Sequence, residues 1–99
     1  MKYTVLIFPT ADADLSEIRT YFEEEFKISS DNLFDKFFDS LRSIEENPYI
    51  RPLVKDITLA GKGYRFVPVD NYLIFYVIVG NDIQIHRILF GKRYYSNLL

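Results

Sequence analysis

The chain has 99 residues, 48% of them hydrophobic and 17% aromatic, which is enough for one hydrophobic core and too little for two. It contains no cysteine, so disulfides and thiolate metal sites are excluded, in keeping with a reducing cytoplasm. The formal net charge of −2 disfavours tight nonspecific binding of nucleic acid, because lysine and arginine contacts with phosphates supply that binding. We expect a single domain over residues 1–99 with no membrane span, which would need an apolar run of roughly 20 residues.

The N-terminal residues predict one strand. Residues 3–8 are apolar and β-prone, and Pro9 ends the run. They resemble a first strand and not a signal peptide, which has a longer apolar stretch and a small-residue cleavage site.

Two amphipathic helices are expected next. The first begins near Thr10 or Asp12, either of which can cap it, and the second begins near the serine pair 29–30. Their apolar positions recur at helical spacing: Leu15, Ile18, Phe22 and Phe26, then Leu33, Phe34, Phe37, Phe38, Leu41 and Ile44. Pro48 stops the second helix, and the short connection between the two predicts a helix hairpin.

A loop and three strands account for the second half. Residues 48–63 carry prolines and glycines, which predict an irregular loop with a short strand around Ile57–Leu59. The predicted strands are Tyr64–Val69, Tyr72–Val79 and Ile83–Phe90. Pro68 indicates that Tyr64–Val69 lies at a sheet edge. Tyr72–Val79 is apolar on both faces, as a central strand is. Gly80-Asn81 indicates a hairpin between the last two strands. The order is β-αα-βββ, an α+β fold with the N-terminal strand and helix hairpin packed on a small, mainly antiparallel sheet.

Charge is unevenly divided along the chain. Residues 1–50 hold 5 Lys+Arg against 11 Asp+Glu, a balance of −6, and residues 51–99 hold 7 against 3, a balance of +4. A site for anions therefore belongs to the second half. Arg65, Arg87 and Arg93 lie within or beside the strand-forming runs, where an arginine needs an acceptor or a route to water. We hypothesise that these three arginines converge on a phosphate-binding site.

Arg87 and its neighbour His86 each have two interpretations. Strict alternation puts Gln84, His86, Ile88 and Phe90 on one face and Ile83, Ile85, Arg87 and Leu89 on the other. Arg87 can form a salt bridge with an acidic helix residue, or it can hold an anion such as a scissile phosphate. His86 is expected to be a structural hydrogen-bonding residue more often than a catalyst. As the only histidine, it cannot build a multi-histidine metal site, and the glycines match no phosphate-binding loop.

These residues resemble those of the RelE/ParE toxin superfamily of bacterial type II toxin–antitoxin modules. The likeness rests on the β-αα-βββ order, on the Asp-Leu-x-x-Ile start of the first helix (14–18) and on the strand-forming tract. That tract comprises Tyr64-Arg65, Asn71–Tyr76 and Ile85–Arg93. The resemblance implies a cytoplasmic toxin without cofactor or metal, neutralised by a cognate antitoxin. It leaves a homodimer and a hetero-oligomer with the antitoxin both open.

Two activities are known in the superfamily. RelE-like members cleave mRNA in the ribosomal A site, and ParE-like members poison DNA gyrase; a degenerate toxin-fold module kept for partner binding is the alternative to both. For RNA cleavage, the resemblance implies catalytic roles for Lys62, Arg65, Arg93, Tyr94 and Tyr95, and substrate-binding roles for Lys55, Arg87 and Lys92. The cations would stabilise the pentacoordinate phosphate while a base activates the 2′-hydroxyl, with no metal.

Overall fold

The computed structural model describes residues 2–91 and 98–99. Its elements are β1 (Thr4–Ile7), α1 (Pro9–Glu25), α2 (Asp31–Glu46), α3 (Ile57–Gly61), β2 (Arg65–Val69), β3 (Tyr72–Val79) and β4 (Asp82–Phe90). The predicted α+β class and β-αα-βββ order are confirmed, with the short α3 added between the helix hairpin and the strands.

The strands form one four-stranded mixed sheet in the order β1-β4-β3-β2. β1 pairs with β4 in parallel, whereas β4–β3 and β3–β2 are antiparallel. β3 is interior and its residues Ile74, Phe75, Tyr76 and Val77 are buried, as expected of a central strand. β2 lies at the edge of the sheet, which explains how Pro68 is tolerated without a backbone donor.

Each face of the sheet has its own apolar cluster. The larger joins the helix hairpin to the sheet and includes Phe37, Ile74 and Ile83, each with no exposed surface. The smaller covers the other face, where Leu59 of α3 packs with Phe75 and Leu89. The C-terminal residues Leu98 and Leu99 pack against this second cluster. The sheet is therefore covered on both sides although the helix hairpin lies on only one.

Two local expectations were wrong. The first helix is not capped by Thr10 or Asp12: it begins at Pro9 with Phe8 in the N-cap position, because proline's missing N–H costs nothing at the first helical residue and its fixed φ suits a helix. Residues 57–61 form a helix instead of a strand, because the Asp56 carboxylate accepts a hydrogen bond from the Leu59 backbone N–H at 3.0 Å and caps it.

A bulge in β4 also overturns the predicted face assignment. Phe75 pairs with Arg87 but the next residue, Tyr76, pairs with Ile85, which leaves His86 as the extra residue. One inserted residue reverses the alternation beyond it. Ile88 consequently joins Ile83 and Ile85 in the larger cluster, although strict alternation had placed it on the opposite face.

The β3–β4 hairpin gives a direct test of the turn. Gly80 has φ +61, a left-handed conformation that a β-carbon disfavours, although no atom stands within 4 Å of an added Cβ. We expect Gly80→Ala to lower the free energy of unfolding by about 1 kcal/mol through backbone strain alone, measured by urea denaturation. Gly61→Ala is the matched control, since its Cβ also meets nothing within 4 Å and its φ carries no such strain. Equal stability of the two variants would contradict the strain argument.

Candidate functional site

Arg87 forms a closed internal salt bridge. Its Nε donates to Asp14 Oδ2 at 2.8 Å and its Nη2 donates to Asp14 Oδ1 at 2.9 Å. Asp14 Oδ2 also accepts the Ile88 backbone N–H at 2.9 Å, and Arg87 Nη1 donates to the Leu98 carbonyl at 3.0 Å. The hydrogen bond to Asp14 raises the pKa of Arg87 above its usual value. Of the two interpretations of Arg87, salt bridge or anion site, the structure contains the salt bridge.

Arg65 lies elsewhere on the sheet. β3 separates the strands that carry Arg65 and Arg87, which places their backbones about 10 Å apart across the sheet. Arg65 Nη1 donates to the Arg51 carbonyl at 2.6 Å and to the Tyr49 carbonyl at 3.5 Å. Its guanidinium lies 5.3 Å from the centroid of the Tyr49 ring, in cation–π range. Arg65 thus holds the loop that precedes α3.

The remaining predicted site residues are only partly placed. Lys55 and Lys62 are exposed on either side of α3, and within residues 2–91 and 98–99 neither side chain has an ion pair with a carboxylate. The other predicted members lie outside the described residues: Lys92, Arg93, Tyr94 and Tyr95. The predicted convergence of Arg65 with Arg87 does not occur.

Arg51 is a neighbour of Arg65 that was not predicted from the sequence. An isolated bridge pairs Leu53 with Arg65, and the Phe66 N–H donates to the Pro52 carbonyl at 3.4 Å. This short pairing brings residue 51 to the end of β2. The pairing could not be read from the sequence, because a single bridge beside a proline has no alternating pattern.

His86 is held in a structural hydrogen-bonding network, as expected. Gln84 Oε1 lies 3.1 Å from Nε2 and can only accept, so Nε2 carries the proton. Nδ1 then accepts from the Tyr64 hydroxyl at 2.7 Å. The ring stacks on Phe8 with centroids 4.6 Å apart. Burial lowers the pKa of His86, so the imidazole is neutral at neutral pH with both nitrogens engaged.

A groove of about 520 Å³ runs between α1 and the sheet. Ile18, Tyr72, Ile88 and Phe90 supply apolar lining, and Asp14, Glu17, Glu24 and Glu25 supply acidic lining. Part of the acidic charge predicted for the helices therefore lies here, in a groove that Arg65 does not line. In the part of the chain that the structure describes, no group of three or more side chains could hold a metal ion, and no helix is long and apolar enough to cross a membrane.

The family of this chain follows from comparison with known proteins. A family model described as the ParE toxin of the type II toxin–antitoxin system, parDE, matches residues 5–95. A solved structure from the chromosomal ParDE toxin–antitoxin system of P. aeruginosa has the same fold, with a TM-score of 0.74 at 14% identity. The alignment covers 92% of this chain and 98% of that one. No curated protein sequence matches.

The protein is thus a toxin of the type II toxin–antitoxin class. Within that class the chain belongs to the ParE toxin family, which confirms the expected superfamily and supports a cognate antitoxin as partner.

The salt bridge between α1 and β4 can be tested by removing its acid. Asp14 is 7% exposed, and Asp14→Ala leaves the Arg87 charge and the Ile88 N–H without their partner. We expect a loss of about 3 kcal/mol in the free energy of unfolding, the usual cost of breaking a buried ion pair, measured by urea denaturation. Asp39→Ala is the control, because it removes an exposed carboxylate paired with Arg42 and should change stability by less than about 0.5 kcal/mol. Similar losses in both variants would contradict a special role for Asp14.

The His86 network predicts a pH dependence of stability. Burial lowers the pKa of His86 from 6.5 in the folded protein. As the pH falls, His86 therefore becomes protonated in the unfolded chain before it does in the folded protein. The stability from its neutral form is complete above the unfolded pKa and is lost as the pH falls below about 6.5. We expect the free energy of unfolding to fall less steeply between about pH 7 and pH 5 in His86→Gln than in the wild type. Parallel curves for the two proteins would show that His86 titrates alike in both states.

Proposed function

We propose that this toxin arrests growth by poisoning DNA gyrase, through contacts between proteins, and not by cleaving mRNA. The observation that carries the proposal is the closed Asp14–Arg87 ion pair, together with membership of the ParE family. A guanidinium already matched by a carboxylate has little left to offer a scissile phosphate.

The contacts of the other candidates support the same choice. Metal-free RNA cleavage needs free cations around the phosphate and a base within reach of the 2′-hydroxyl. Arg65 Nη1 donates to the carbonyls of Tyr49 and Arg51, and both ring nitrogens of His86 are hydrogen-bonded. Arg87 and His86 are thus engaged in internal contacts while Arg65 contacts a different element, so among the described residues the three side chains do not surround a common centre.

We also infer that the toxin acts in the cytoplasm, where gyrase and a cognate antitoxin would both be found. An antitoxin that binds before the target does would prevent the arrest by excluding gyrase from the same surface. This part of the proposal rests on the family and on the absence of disulfide chemistry in the sequence.

Purified toxin distinguishes the two activities. We expect it to inhibit gyrase supercoiling of relaxed plasmid and to increase gyrase-linked DNA breaks, while transcripts in a coupled translation reaction stay intact. Addition of the antitoxin should reverse the inhibition. Cleaved transcripts with unaffected gyrase would overturn the proposal in favour of the nuclease.

Variants sharpen that comparison. If the toxin were a nuclease using Arg65, Arg65→Ala would lower cleavage by about 10²-fold, the usual cost of losing one electrostatic donor, whereas the exposed Arg42→Ala control would not. Absence of any growth effect on induction, with both assays negative, would instead support the degenerate module kept for partner binding.

A further inference from the structure

The loop that precedes α3 is fixed against the edge of the sheet. The Val54 N–H donates to the Tyr64 carbonyl at 3.0 Å, and Leu53 forms a bridge with Arg65 of β2. Farther back, the buried Tyr76 hydroxyl donates to the Pro48 carbonyl at 2.7 Å. Residues 48–54 therefore have a defined position, and the side chains that they present are held in place before any partner arrives.

This loop carries positive charge without a neutralising acid. The Arg65 guanidinium reaches the Arg51 backbone at 2.6 Å, so the two residues adjoin. Within the described ranges 2–91 and 98–99, neither arginine pairs with a carboxylate, whereas Arg19, Arg42 and Arg87 all do. Arg51 Nε is buried and has no hydrogen-bond partner, so a carboxylate from outside can meet only the terminal Nη groups of this side chain.

Exposed apolar side chains surround the two arginines. Tyr49 is 56% exposed, Ile50 69% and Leu53 42%. Tyrosine and arginine next to aliphatic side chains are the composition of a protein-binding hot spot, where truncation of single residues has large effects. Exposed isoleucine and leucine offer nothing to a phosphate backbone, and the acidic chain as a whole repels one.

We propose that Arg51 and Arg65, with the apolar side chains of residues 49–53, form a binding site for an acidic segment of a protein partner. The segment would place a carboxylate between the two guanidinium groups and an aliphatic or aromatic side chain against Ile50 and Leu53. Arginine suits this role because its planar fork binds a carboxylate through two hydrogen bonds. This binding site does not depend on gyrase being the toxin's target, because only residues of this loop and of β2 form it.

Selection from a random 12-residue peptide display library on the intact toxin tests the proposal. We expect enriched peptides to combine Asp or Glu with apolar residues and to bind Arg51→Gln about tenfold or more weakly than wild type, the cost of a lost charge-assisted contact. Arg51 donates no side-chain hydrogen bond within the described residues, so this variant should keep the wild-type thermal melt. Arg42→Gln is the control, since it removes the same charge from an exposed site on α2.

Other outcomes overturn the site. Failure to enrich any peptide, enrichment without an acidic bias, or equal weakening by Arg51→Gln and Arg42→Gln would each contradict it. Binding of labelled single-stranded dT12 that depends on Arg51, in the absence of peptide binding, would assign the loop to nucleic acid instead.

Discussion

The Asp14 carboxylate is the contact on which the arrangement of helix and sheet depends. β1 spans only four residues and pairs with Asp82–Ile85, so the rest of β4 has no strand on that side. α1 fills this position: Asp14 accepts the Ile88 N–H and pairs with Arg87, and the Thr10 hydroxyl donates to the His86 carbonyl. A side chain thereby replaces the missing strand as the partner of backbone groups that burial would otherwise leave unsatisfied.

This use of Arg87 determines where free positive charge remains. A buried carboxylate needs a cation, and the only one that β4 supplies within its span is Arg87. The arginine is then committed to structure. Among the described residues, the two arginines without a carboxylate partner, Arg51 and Arg65, lie at the opposite edge, on β2 and the loop bound to it. Glu17, Glu24 and Glu25 of α1 line a groove to which neither β2 nor that loop contributes a residue. The small net charge thus conceals two surfaces of opposite sign.

The sequence predicted the elements whose signals are local. Apolar spacing located both helices of the hairpin, Pro68 indicated the edge strand, and Gly80-Asn81 indicated the hairpin, because each depends on a few neighbouring residues. The bulge at His86 was missed because strict alternation was assumed along the whole strand, although the polar pair His86-Arg87 interrupts the alternation of Ile83 and Ile85 with polar neighbours. The arginine that pairs with Asp14 could not be predicted from the sequence, because it lies 73 positions away and tertiary packing brings the two together. Arg51 was overlooked for the same reason.

The separation of the two charged surfaces bears on how the toxin meets its partners. Attraction between opposite charges orients proteins before contact and raises the rate of productive encounter, and it weakens with salt. A partner with an acidic face would be drawn toward the β2 edge and repelled by the α1 groove, so it would approach in one orientation. The loop at that edge is already fixed by Arg65 and Tyr76, so its side chains lose little further freedom on binding. The hydrogen bonds of Arg65 and Tyr76 to backbone carbonyls therefore hold this surface in place for recognition.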